Sequence, residues 1–228
     1  MSRFQDRADG GRQLARALAA YAGRPDLIVL GLPRGGVPVA AEVARALGAP
    51  LEVFVVRKLG VPGHAEYAMG AIASGGIRLL DDRVIRDLGV TEGDIDRTTA
   101  VERLELERRE HAYRGSRPFP DLTGLTAILV DDGLATGSTM RAAVTALREE
   151  GPERIVVAVP VGAPGPCEML RDLVDEVLCL ATPASFIAVS QWYEDFTETT
   201  DEAIHDLLAV AGRSPPAGGS DNRKGAGR

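Results

Sequence analysis

Two adjacent carboxylates, Asp131 and Asp132, are followed by Gly133 and then by the hydroxyl side chains of Thr136, Ser138 and Thr139, gathered around Gly137. Hydroxyls and the backbone N–H groups of a glycine-bearing turn donate to phosphate oxygens, most effectively where the turn opens a helix. Carboxylates beside such an anion site repel the ligand unless they meet hydroxyls or a cation, and ribose hydroxyls answer that need. The run therefore reads as a grip on a sugar phosphate, with the acids on the ribose and Ala135, Thr136, Gly137, Ser138 and Thr139 around its 5′ phosphate. A P-loop needs a Lys before its closing Ser or Thr, and a dinucleotide fingerprint needs glycines at other spacings, so neither describes these residues.

A strand and a helix must present such a turn. Leu125 to Val130 is a continuous apolar run that predicts a buried strand with the aspartates at its carboxyl end, and a helix begins near Met140. Ligands of open α/β sheets bind at that edge. Leu27 to Leu32, Leu51 to Val56 and Ile155 to Val161 predict further strands, and Val174 to Leu180 a fifth. Apolar character that is continuous rather than alternating marks strands covered on both faces, as in a parallel sheet. Helical patterns at Val37 to Leu47, Thr139 to Glu149 and near Pro166 to Leu173 lie between them. The expected fold class is α/β: a doubly wound, mainly parallel sheet with right-handed crossovers.

Residues 1–212 are expected to form one domain. It includes a long charged helix near 91–114, anchored by Val101, Leu104 and Leu106, whose role as exposed surface, lid, arm or subunit contact is open. A small hood-like region spans about 183–200, and the Pro-, Gly- and Ser-rich residues 213–228 read as a disordered tail.

The run Val130-Asp-Asp-Gly-Leu-Ala-Thr-Gly-Ser-Thr-Met140 resembles the signature of type I phosphoribosyltransferases. That resemblance implies a substrate, 5-phosphoribosyl-1-pyrophosphate (PRPP), a nitrogenous acceptor that is a nucleobase, and Mg²⁺ bound indirectly through substrate and water, with Asp131 and Asp132 near it. It also gives meaning to Leu32-Pro-Arg-Gly-Gly-Val-Pro38, similar to the family's pyrophosphate loop, where Arg34 would pair with phosphate oxygens and Gly35 and Gly36 would let the backbone approach. Family members often carry a cis peptide in that loop. Arg57 and Lys58, followed by Gly60, Pro62 and Gly63, look like the entrance to the flexible catalytic loop of the adenine and orotate branches. They would screen a departing pyrophosphate while the loop excludes water. Asp131, Asp132, Arg34 and Lys58 are thus the expected catalytic set.

The segment Ser185 to Phe196 holds four of the chain's ten aromatics. Its place resembles the base-binding region of purine enzymes, which makes Phe186 and Trp192 candidate stacking residues. Ala135 stands where 6-oxopurine enzymes commonly place an aspartate, so the pattern is closer to the adenine or orotate type, with Glu66 a candidate acid or base. Two other functions use the same pocket: a regulatory protein that senses PRPP or a nucleotide, and a hydrolase of phosphoribosyl compounds.

Composition narrows the partners. The chain carries a formal charge of −7, and residues 1–212 alone, with 22 basic and 32 acidic side chains, carry −10. Neither nucleic acid nor an anionic membrane is attracted to such a surface. No apolar run approaches the ~20 residues of a bilayer span, and the N-terminus does not read as a secretory signal. Cys167 and Cys179 lie too far apart for a CxxC pair and are expected as reduced core residues of a cytoplasmic protein. Nucleotide salvage by a homodimer completes the expectation drawn from the resemblance.

Overall fold

The computed structural model describes residues 3–211; the tail expected at 213–228 lies outside the described residues. The chain opens with α1 (Arg7–Ala17), β1 (Leu27–Gly31), α2 (Gly36–Leu47) and β2 (Leu51–Val53). It continues through β3 (Val56–Val61), β4 (His64–Ala73), β5 (Ile77–Leu80), α3 (Asp82–Asp87) and α4 (Glu92–Arg114). It closes with β6 (Thr126–Val130), α5 (Ser138–Glu149), β7 (Arg154–Val161), α6 (Pro164–Arg171), β8 (Glu176–Ala181) and α7 (Asp201–Ala211).

Five strands form a parallel sheet in the order β2-β1-β6-β7-β8. Its central strands are buried on both faces, as the unbroken apolar runs require: Leu27 and Val29 of β1 face one apolar layer while Ile28 and Leu30 face the other. The first layer is completed by α1, α2 and α7, the second by α5 and α6. From β1 the chain steps outward to β2, and from β6 it steps the opposite way to β7 and β8. Strand order thus reverses between β1 and β6, whose carboxyl ends Gly31 and Val130 are register partners. Loops diverge at such a reversal and leave a crevice above the sheet edge.

The run Leu51 to Val56, expected as one strand, is divided. β2 stops at Val53, whose carbonyl accepts from Arg114 Nη2 at 3.1 Å, and Ser74 Oγ takes the N–H of Val55 at 3.0 Å. The chain then leaves the sheet for a separate antiparallel one, β3-β4-β5. What read as a Gly- and Pro-rich loop after Lys58 is a hairpin turning at Gly63, which has φ +79°.

The charged helix is present as α4, begun by a capping box between Thr91 and Asp94. Its anchors differ from expectation. Ile95, Thr99, Leu106 and Tyr113 are buried, at a spacing that keeps them on one stripe, whereas Val101 and Leu104 are 65% and 69% exposed. The helix therefore packs on the hairpin and α7 through one face only. The cysteines also depart from expectation. Packing of α6 against β8 brings Cys167 and Cys179 together as a disulfide, and among the described residues neither remains a free thiol. None of the described helices is long and apolar enough to cross a membrane.

Candidate active site

Both sequence motifs lie at the strand-order reversal. Leu32 to Gly35 leave the end of β1, and Asp131 to Gly137 leave the end of β6. The two loops touch closely enough to require glycine. A Cβ on Gly36 would lie 2.6 Å from the Val130 carbonyl oxygen, and one on Gly35 would collide with the Asp132 carboxylate. The Pro33–Arg34 peptide is cis.

Gly137, with φ +70°, precedes α5, and Thr136 Oγ1 lies 3.0 Å from Ser138 Oγ. The first N–H groups of a helix have no partner within it, so this turn directs donors outward. Lys58 Nζ reaches Ser138 Oγ at 2.7 Å and adds a cation to the same turn. Lys58 is therefore beside the predicted 5′-phosphate residues. Arg57 is not: neighbouring residues of a strand point to opposite faces, and Arg57 pairs with Glu102 of α4 at 2.6 Å. The structure separates these two cations, which sequence reasoning had placed together on pyrophosphate. Arg34 projects from its loop and pairs with Glu198.

Asp131 and Asp132 sit together at the base of the crevice. Asp131 Oδ1 accepts the N–H of Asp132 at 2.8 Å, and Asp132 Oδ2 accepts from Arg7 Nε, also at 2.8 Å. Burial raises the pKa of Asp131 well above the usual carboxylate range, and the charge of Asp132 raises it further; the Asp132 N–H and Arg7 oppose both. Burial likewise raises Asp132, against the hydrogen bond and charge of Arg7. Tyr193 donates its hydroxyl to the Asp132 carbonyl at 2.6 Å, and burial holds that phenol above its ordinary pKa.

The hood is built from both ends of the described chain. Phe4 pairs with the 192–195 segment, Phe4 N–H reaching the Trp192 carbonyl at 2.9 Å and Glu194 N–H the Phe4 carbonyl at 2.8 Å. Phe186 and Trp192, the expected stacking residues, are half-buried in the hood's own apolar cluster with Phe4, Val161 and Tyr193. The ring that joins the acidic corner is Phe196, 3.8 Å beneath the Arg7 guanidinium. Sequence reasoning missed Arg7, Tyr193 and Phe196 in these roles; the aromatic cluster was a signal for the last two, but nothing local marked Arg7. The side chain of Glu66 lies outside the described residues. Two open cavities of about 360 and 470 Å³ lie along α4 instead, lined by mixed Arg and Glu side chains.

Residues 2–195 match the family model of the phosphoribosyl transferase domain. The chain belongs to this family. A Mycobacterium tuberculosis protein provisionally named a phosphoribosyl transferase is 47% identical over 213 residues, covering 93% of this chain. The present chain spans only 48% of that relative's length. A bifunctional protein PyrR of Brevibacillus brevis is 33% identical over 121 residues, covering 51% of this chain and 66% of its own. The crystal structure of TT1426 from Thermus thermophilus superimposes with a TM-score of 0.82 at 45% identity, covering 91% of this chain and 98% of that one. Family membership thus agrees with the resemblance carried by residues 130–140, and the Thermus structure shares the overall fold.

Proposed function

We propose that the protein transfers the phosphoribosyl group of PRPP to a nitrogenous base and releases pyrophosphate. The observation that carries this reading is the meeting of three chemistries at one strand-order reversal: paired, half-buried acids, a hydroxyl-rich helix start with Lys58, and a cationic glycine loop.

In this reading the turn Ala135 to Thr139, with Lys58, holds the 5′ phosphate. Asp131 and Asp132 take the ribose hydroxyls. Gly35, Gly36 and Arg34 receive the pyrophosphate, with Arg34 exchanging Glu198 for phosphate oxygens. The sugar is then fixed at both ends, so a nitrogen nucleophile meets C1 from the face opposite the leaving group while positive charge develops on the ring. Positioning and electrostatics supply the catalysis, and no protein nucleophile is needed. The neighbouring carboxylates stabilise the cationic ring, and Arg34 stabilises the departing anion.

The donors present suit Mg²⁺ held mainly by the substrate. Among the described residues no group of three or more His, Cys, Asp and Glu side chains forms a metal cage, while Asp131 and Asp132 offer carboxylate oxygens to the waters of a hydrated ion. When bound, Mg²⁺ would neutralise pyrophosphate charge. The acceptor would lie toward the hood and Phe196. Nucleotide salvage by a homodimer is the setting we propose. The test is a panel of purines, pyrimidines, orotate and small amines supplied with PRPP and Mg²⁺, read as pyrophosphate release and product mass. Base-dependent release supports the proposal; phosphoribose without a base indicates a hydrolase, and binding without turnover a sensor.

A further inference from the structure

Arg7 stands where the helix itself does not favour it. It is the first residue of α1, next to the N-cap Asp6, whose side chain accepts the Asp9 N–H at 2.7 Å. The positive end of a helix macrodipole disfavours a cation there. The placement of α1 is nevertheless tightly defined. A Cβ on Gly11 would come within 2.6 Å of the Val39 carbonyl oxygen of α2, and one on Gly10 within 3.1 Å of Pro160 and 3.4 Å of the Tyr193 ring. The two glycines let α1 sink against α2 and β7, which carries Arg7 to the acidic corner.

There the guanidinium makes three different contacts. Nε donates to Asp132 Oδ2 at 2.8 Å, Nη1 donates to the Thr197 carbonyl at 2.8 Å, and the plane lies 3.8 Å from the Phe196 ring centroid. The Arg7 and Asp132 side chains are only 12% and 14% exposed. On its other side Asp132 Oδ2 lies against Gly35, so this oxygen is enclosed between the glycine loop and Arg7.

We propose that Arg7 is a positioning residue of the ribose pocket, which orients Asp132 toward the 2-hydroxyl of the sugar and ties that orientation to the hood segment around Phe196. With Oδ2 engaged by Arg7, Oδ1 is the oxygen of Asp132 that this reading assigns to the sugar. A planar guanidinium can hold a carboxylate, a carbonyl and an aromatic face at once; a lysine ammonium cannot reproduce all three. The inference rests on the sugar-phosphate reading of the site and adds α1, which no motif covers, to the binding apparatus.

The experiment measures the affinities of ribose 5-phosphate and 2-deoxyribose 5-phosphate by calorimetry, for the full chain and for Arg7→Met and Arg7→Lys, with inorganic phosphate as control. The unsubstituted protein should prefer ribose 5-phosphate by about tenfold, the scale of a hydrogen bond to a charged group. In Arg7→Met this preference should fall toward unity while phosphate affinity stays within about twofold, because the turn that holds phosphate is intact. Arg7→Lys should keep part of the preference. A merely structural ion pair would lower the melting temperature and leave the ratio of the two sugars unchanged, which overturns the inference. If Arg7→Met does not fold, Arg7→Lys decides: an undiminished preference again overturns it. Failure of the unsubstituted protein to bind either sugar phosphate would instead remove the underlying reading of the pocket.

Discussion

The Cα of Gly36 lies so near the Val130 carbonyl that a methyl group there would sit 2.6 Å from the oxygen. The start of α2 is thereby seated on the end of β6, which sets the spacing between the glycine loop and the paired aspartates. Gly36→Ala is expected to destabilise the protein by about 1–3 kcal/mol through this backbone overlap. It should also weaken PRPP binding. Gly93, in α4, where an added Cβ would meet only the flexible end of Arg97 at 3.3 Å and Thr91 Oγ1 at 3.9 Å, is the contrast: Gly93→Ala should gain about 0.5–1 kcal/mol from helix propensity. Denaturant midpoints and calorimetry of PRPP binding check both. Equal midpoints for the two variants would contradict the packing argument.

Asp131 should cost the fold stability at neutral pH. Its folded pKa is raised, so the folded protein binds more protons than the unfolded chain just above about pH 3.9, and stability falls as pH rises through the folded value. Asp131→Asn removes that charge. The substitution should raise stability at neutral pH, with the gain vanishing toward acid where the native residue is also neutral. Turnover should be lost. Melting curves across pH decide the matter, and a variant less stable than the native protein at pH 8 would refute it.

Lys58 and Arg57 should respond oppositely to replacement by methionine. Lys58→Met removes the cation beside Ser138 and should weaken ribose 5-phosphate binding about tenfold, with a shallower salt dependence. Arg57→Met breaks the pair with Glu102 and should cost stability of about 0.5–1 kcal/mol, with binding nearly unchanged. Calorimetry at two salt concentrations separates the variants.

Glu198 holds the cation that pyrophosphate would use. Freeing Arg34 by Glu198→Gln should lower the KM for PRPP about two- to threefold and leave kcat in place, since an exposed pair of this kind contributes little to stability. A KM that rises would show that Glu198 assists binding rather than competing with it.

The parallel sheet was legible because β1, β6 and β7 are buried on both faces and so carry no polar alternation. The turn that opens α5 was legible because Gly137 and the hydroxyls of Thr136, Ser138 and Thr139 are contiguous. What escaped depends on contacts between distant parts of the chain. Arg7 and Asp132 are 125 residues apart, and no local pattern pairs them. The division of Leu51 to Val56 falls where β1 ends at Gly31, whose carbonyl takes the Phe54 N–H at 3.0 Å, while Arg114 of α4 and Ser74 take the Val53 carbonyl and the Val55 N–H. Val101 and Leu104 were misread as anchors because hydrophobicity was weighed without the angular position that leaves them outside the buried stripe.

The pairing of Gly31 with Val130 also bears on how the molecule is made. Both halves of the crevice stay apart until a chain length of about one hundred residues has been looped back, an entropic cost that sets topologies of this kind among the slower folders. The hairpin and α4 arise within that loop from near neighbours. Ligand affinity should therefore emerge only in the last stage of refolding, after most of the helical signal has returned.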